Sequence, residues 1–187
     1  MESRRSILRL IATFSLAAFC LLPIATGRAA DNPTSDDPAV ILRGVDGKTV
    51  KLTRSELQKL PRTELEAVDH RGHKSRYSGV ALRELLNKLK VPRGEAVRGE
   101  WMRAFVEVEA TDDYRAIFAL PELDPGFTDR TIILADTRDG HPLEKYKGPF
   151  QVVVPGEKRQ ARWVRMVKEI RLVDSRSLEK PAEPKNR

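Results

Sequence analysis

Hydrophobic and polar positions along this chain fall mostly into short alternating runs. Val40-Ile41-Leu42 and Thr49-Val50-Lys51-Leu52 flank the turn pair Asp46-Gly47, which predicts an opening β-hairpin. Thr53-Arg54-Ser55-Glu56 has capping-box spacing and predicts a short helix through Leu57 and Leu60, stopped by Pro61. Glu64-Leu65-Glu66-Ala67-Val68 alternates as a strand does, and a polar loop, Asp69 to Ser75, follows. Leu82, Leu85, Leu86 and Leu89 recur at helical spacing, so a helix is expected over 81–90, ended by Pro92 and Gly94. Phe105 to Ala110 places Val106, Val108 and Ala110 on one face, and Arg115 to Ala119 makes a second hairpin with it. Thr131 to Ala135, Gln151 to Val154 and Ile170 to Val173 are β-prone. Strands dominate without β–α–β alternation. The expected class is α+β, with mixed, mainly antiparallel sheets and few short helices.

The ends read differently. Arg4, Arg5 and Arg9 precede the apolar run Leu10 to Ala25, and Gly27-Arg28-Ala29 supplies small residues at a cleavage point, so residues 1–29 are expected to be a secretory signal. Ser3-Arg4-Arg5-Ser6 also resembles a twin-arginine signal, and the Sec and twin-arginine routes stay open. The run is short for a membrane span and contains Pro23, which disfavours a lasting anchor. A polar, proline-bearing linker is expected over 30–39, one domain over 40–173 and a disordered tail over 174–187. The expected location is the periplasm.

Composition matters mainly through what export removes. The chain has 187 residues and a formal charge of +7; residues 1–29 carry four basic side chains and one acidic, which leaves 158 residues at +4. Cys20, the one cysteine, leaves with them. A mature chain without thiols has no disulfide, no cysteine nucleophile and no thiolate ligand for a metal. Modest charge and few aromatics argue against a nucleic-acid partner.

Three clusters carry candidate chemistry. Asp69-His70-Arg71-Gly72-His73 could offer His70 and His73 to a metal, with Asp69 or His141 as third ligand, or could be a solvated turn. Asp112-Asp113-Tyr114 between two strands reads as a turn in which Asp112 bonds the backbone. Arg159, Arg162, Arg165, Lys168 and Arg171 recur every three residues, either as a solvated helix face or as an anion site where arginine forks meet phosphate oxygens. There is no G-x-S-x-G elbow, no glycine-rich phosphate loop and no H-E-x-x-H.

The order of several segments resembles the oxidoreductase molybdopterin-binding domain family, the sulfite-oxidase-like fold. The matching residues are Tyr77-x-Gly79-Val80-x-Leu82-x-x-Leu85-Leu86, Ala110-x-Asp112-Asp113-Tyr114, Leu120-Pro121-Glu122-Leu123, Asp139-Gly140-x-Pro142-Leu143, Gly148-Pro149 and Val153-Val154-Pro155-Gly156 leading into Arg162-x-Val164-Arg165. The resemblance implies a molybdopterin cofactor in a pocket among the loop after Val68, the region of Asp139-Gly140 and the stretch before the last strand. It implies Arg162 and Arg165 at the pterin phosphate, with His70, Arg71 and Tyr77 at the pocket mouth. Asp113 stands where the family usually has glycine, which implies a changed turn.

Catalytic members ligate molybdenum through a cysteine in the loop after the strand matching Glu64–Val68. Here that loop has no thiol, and the family's arginine-rich anchor is reduced to Arg71 and Arg76. Two readings stand: a family member keeping a pterin or anion pocket, with its catalysis in question, or a non-catalytic envelope module that binds a small ligand or a partner protein.

Overall fold

The computed structural model describes residues 37–69 and 71–178. The signal-like segment, most of the expected linker, His70 and residues 179–187 lie outside the described residues. The mixed architecture of antiparallel sheets and short helices is the one expected.

The opening hairpin pairs β1 (Ala39–Arg43) with β2 (Thr49–Thr53) in register Leu42 to Val50. Thr53 then caps α1 (Arg54–Gln58): its hydroxyl accepts from Glu56 N at 3.2 Å, and the Glu56 carboxylate accepts from Thr53 N at 2.8 Å. This reciprocal pair satisfies two otherwise orphaned donors, which is why so short a helix holds. Next come β3 (Arg62–Val68) and β4 (Lys74–Ala81), joined by a turn over 69–73. The helix α2 (Leu82–Leu86) tightens into a 3-10 turn at Asn87–Leu89, and Lys90, at φ +59°, ends it.

The second half supplies β5 (Ala104–Ala110), β6 (Arg115–Ala119), β7 (Ile133–Arg138), the two-residue β8 (His141–Pro142), β9 (Gln151–Val153) and β10 (Val167–Asp174). One sheet has the order β2-β1-β10-β5-β6, with β1 and β10 parallel and its other pairs antiparallel. The other runs β3-β4-β7, with β8 and β9 both pairing against β7. One hydrophobic cluster draws on both sheets and α2, including Val40, Val106, Phe118 and Ile170 from the first and Tyr77, Val80, Ile133 and Val152 from the second. Among the described residues, no helix is long and apolar enough to cross a membrane.

Several expectations change. The polar stretch after Asp69 is shorter than expected, because Lys74 and Ser75 already belong to β4. The basic series from Arg159 to Arg171 does not form a helix face: a 3-10 turn at Gln160–Arg162 leads through Met166 into β10. A period of three has no meaning on a strand, where successive side chains alternate, and Lys168 and Arg171 pair with Glu109, Asp113, Glu107 and Glu169. Asp37, within the expected linker, is tied to α1, since its carboxylate accepts from Ser55 N. β10 runs to Asp174, and a 3-10 turn follows at Ser175–Leu178. Asp113 adopts φ +65°, so it holds the left-handed turn that glycine would favour. Asp112 behaves as expected, its Oδ1 accepting from Tyr114 N at 3.2 Å.

Candidate functional site

A β-bulge sets up the site. Ser78 faces Thr137 while Gly79 faces Ala135, so Asp136 is the extra residue of β7. The buried Asp136 carboxylate takes a two-pronged contact from Arg62, at 2.8 and 2.6 Å. Past the bulge, Tyr77 faces Arg138 directly across the β4–β7 ladder. The Arg138 guanidinium lies 5.8 Å from the centre of the Tyr77 ring, and its Nε and Nη2 donate to Ser75 Oγ at 2.9 and 2.7 Å.

Tyr77 is buried and meets Trp163 edge to face, with ring centres 5.6 Å apart. Trp163 is fixed by its indole N–H, which donates to Val154 O at 3.0 Å. Burial pushes the Tyr77 phenol above its ordinary pKa, so it is a neutral hydroxyl at physiological pH. The Asp69–His73 turn is self-built: Asp69 Oδ1 accepts from Arg71 N and His73 N, and Gly72 supplies φ +83°. The His73 ring lies 3.5 Å from Asp69 Oδ2.

These groups border a cleft of about 430 Å³. Arg71, Arg138, Lys147 and Arg165 supply four cations, and Asp69 and Glu144 two carboxylates. Tyr77, Trp163 and Tyr146 supply aromatic wall. A neighbouring depression of about 380 Å³ shares Tyr146, Gln160, Trp163 and Arg165 with it. Lys147 pairs with Glu144 at 3.0 Å, and Arg138 approaches Asp139 at 3.5 Å and Asp69 at 3.8 Å. Arg71 and Arg165 are exposed and have no ion pair with another described residue. Gln151, only 4% exposed, also lines the cleft, and its Oε1 is buried without a hydrogen-bond partner. Positive excess, aromatic wall and an unsatisfied amide suit a planar ligand bearing an anionic group.

Of the residues expected at the site, Arg71, Tyr77 and Arg165 line this cleft. His70 lies outside the described residues. Arg162 is elsewhere: its guanidinium stacks 4.7 Å over the Phe118 ring, donates from Nη1 to Glu122 at 3.0 Å, and pairs with Glu157. Arg162 is thus tied to Glu122 and Glu157 and does not line the cleft. Asp139 also misses the cleft. It shares the two-residue β7–β8 turn with Gly140, at φ +51° and +80°, and its carboxylate accepts from Arg76 N at 2.8 Å. Arg138 is the residue of that region on the cleft wall. Among the described residues, no three His, Cys, Asp or Glu side chains gather to hold a metal, and His141 is on β8, outside the cleft lining.

Arg138, Lys147, Gln151 and Trp163 were not among the expected site residues. Gln151 did carry a signal, as the one polar residue opening the apolar run Gln151-Val152-Val153-Val154.

Comparison with known proteins agrees with this architecture. The structure is similar to the crystal structure of the sulfane dehydrogenase SoxCD from Paracoccus pantotrophus, at 21% identity and a TM-score of 0.59, over 76% of this chain. The match spans 40% of the SoxCD chain. No curated protein sequence matches. The model of the oxidoreductase molybdopterin binding domain matches residues 33–180, most of the chain. This chain therefore belongs to the oxidoreductase molybdopterin-binding domain family.

Proposed function

We propose that this chain is an exported, periplasmic family member that binds a pterin-type ligand through its anionic group. The observation that carries the reading is the convergence of Arg71, Arg138, Lys147 and Arg165 on one cleft that also contains the unsatisfied Gln151 amide. The organic part of the family cofactor fits these residues: cations for a phosphate, Tyr77 and Trp163 as a rigid wall, and an open polar group for a ring edge. The metal part fits less well. Cys20 is the sole cysteine of the chain, so the Asp69–His73 turn has no thiolate to offer.

When bound, the cofactor would supply redox chemistry at its metal. The residues of this chain bind and orient: Arg165 and Arg71 attract the anion at the rim, Lys147 and Arg138 receive it deeper in, and neutral Tyr77 holds a hydroxyl against it. Without a thiolate from the protein, a metal here would have one ligand fewer and a different potential from that of thiolate-ligated members. Ligand binding is therefore the role these residues support.

The test is to purify the protein from a host that makes molybdopterin and to assay metal and pterin fluorescence. Pterin should co-purify, and an Arg138→Ala/Lys147→Ala variant should lose most of it. Absence of both pterin and molybdenum from the wild type would reject the reading.

A second reading, an envelope module that docks on a partner protein, draws on a different place. A depression of about 480 Å³ on the first sheet is lined in part by Val45, Phe105, Ile117 and Leu178, with Val45, Ile117 and Leu178 more than half exposed. It would be favoured if a specific envelope protein bound the pterin-free chain and Ile117→Asp abolished that binding.

A further inference from the structure

The geometry points to Gln151 as the residue that selects the ligand, by pairing its carboxamide with the lactam edge of a fused heterocycle. This rests on the pterin reading of the cleft and adds to it a specificity determinant.

Gln151 opens β9, where its backbone pairs opposite Ala135 of β7. Its neighbours Val152, Val153 and Val154 are fully buried and apolar. An aliphatic residue at 151 would serve this strand equally well, so sheet packing does not explain an amide here. The side chain is more than nine-tenths buried yet lines the cleft, and neither end of the carboxamide has a hydrogen-bond partner among the described residues. Buried polar groups are nearly always satisfied, and one left open costs stability that some other role must justify.

A carboxamide offers one acceptor and two donors side by side. The complementary group is an N–H next to a C=O, the lactam edge of a pterin-class ring. A simple phosphate or carboxylate has no such edge and would leave Oε1 unpaired. Recognition therefore divides in two: the cations take the charge, and Gln151 takes the ring. Sites built to hydrogen-bond a particular group discriminate strongly against ligands lacking it, because the site's own polar atoms stay unpaired.

The test uses calorimetric titration of the purified protein with three probes: neopterin phosphate, neopterin and glycerol phosphate. Gln151→Leu should weaken neopterin phosphate about tenfold and leave glycerol phosphate within about twofold. The unliganded melting temperature of this variant should equal or exceed that of the wild type, since an orphaned amide has been removed from an apolar strand. Lys147→Ala should show the converse pattern, weakening both phosphates and sparing neopterin. Gln151→Met, which keeps the length of the side chain, guards against a misfolded leucine variant and should match it. The assignment is overturned if Gln151→Leu and Gln151→Met leave all affinities unchanged, or weaken the ring-bearing and ring-free phosphates equally. A wild type that binds neither neopterin compound overturns the pterin reading itself, and this assignment with it.

Discussion

At the scale of single residues, Gly79 is the most constrained position next to the cleft. A Cβ there would lie 2.1 Å from Leu134 O and 2.6 Å from Ala135 Cα, both backbone atoms that cannot swing aside. Gly79→Ala must push β4 and β7 apart at the bulge, at a cost of about 2–3 kcal/mol. A thermal melt should show the loss, and because the Tyr77–Arg138 pair sits just beyond the bulge, ligand affinity should fall with it. Trp163→Phe should cost about 1–2 kcal/mol in a denaturant titration, through the lost bond to Val154 O and a weaker edge contact with Tyr77. Tyr77, Arg71 and Arg165 were legible beforehand because they fall on or beside motif positions. Arg138 and Lys147 were not, because a cation in sequence has no visible partner, and only the bulge at Asp136 turns Arg138 onto the Tyr77 face. The partners of Arg162 were hidden for the same reason, since Glu122 and Glu157 become its neighbours only after folding.

At the scale of elements, the short helix α2 is held by a buried ion pair. Arg83 and Asp124 are both nearly inaccessible, their side chains 4% and 1% exposed, with Nε and Oδ2 3.2 Å apart. Arg83 Nη2 also donates to Val91 O and Pro92 O, and Asp124 accepts from Gly94 N and Gly126 N, so one pair ties α2 to two loops. Burial holds the Arg83 guanidinium below its ordinary pKa. Asp124→Ala strands that charge in the interior and should cost about 3–5 kcal/mol, read as a lower denaturant midpoint. The leucine spacing of α2 was visible in the sequence, whereas this pair was not, because a lone arginine in an amphipathic pattern ordinarily faces water. Both hairpins and the capping box were legible from local rules. β4 was not: Lys74, Arg76 and Ser78 alternate with Ser75, Tyr77 and Gly79, so its inner face carries only one large apolar residue to mark it.

Taken whole, the molecule carries a ladder of ion pairs along its first sheet. Lys168 and Arg115 hold Glu109 below the usual carboxylate range, Arg43 does so for Glu169, and Arg103 holds Asp174 well below it. Depressed carboxylates contribute stability that is complete above their unfolded pKa, near 4, and is lost as pH falls through the lower folded values. Melting temperature should therefore be flat above about pH 5 and should drop progressively below about pH 4. Arg43→Gln should shallow that acid slope, and an unchanged slope would assign the acid loss to other groups. β10 has a different consequence. It lies between β1 and β5, so the last of the described strands is the middle of its sheet. The early hairpin and the β5–β6 hairpin are joined only through β10, so the first sheet can close only once β10 has been made. A stop codon before Val167 would thus remove the keystone and not a tail, and such fragments should be protease-sensitive throughout rather than trimmed at one end.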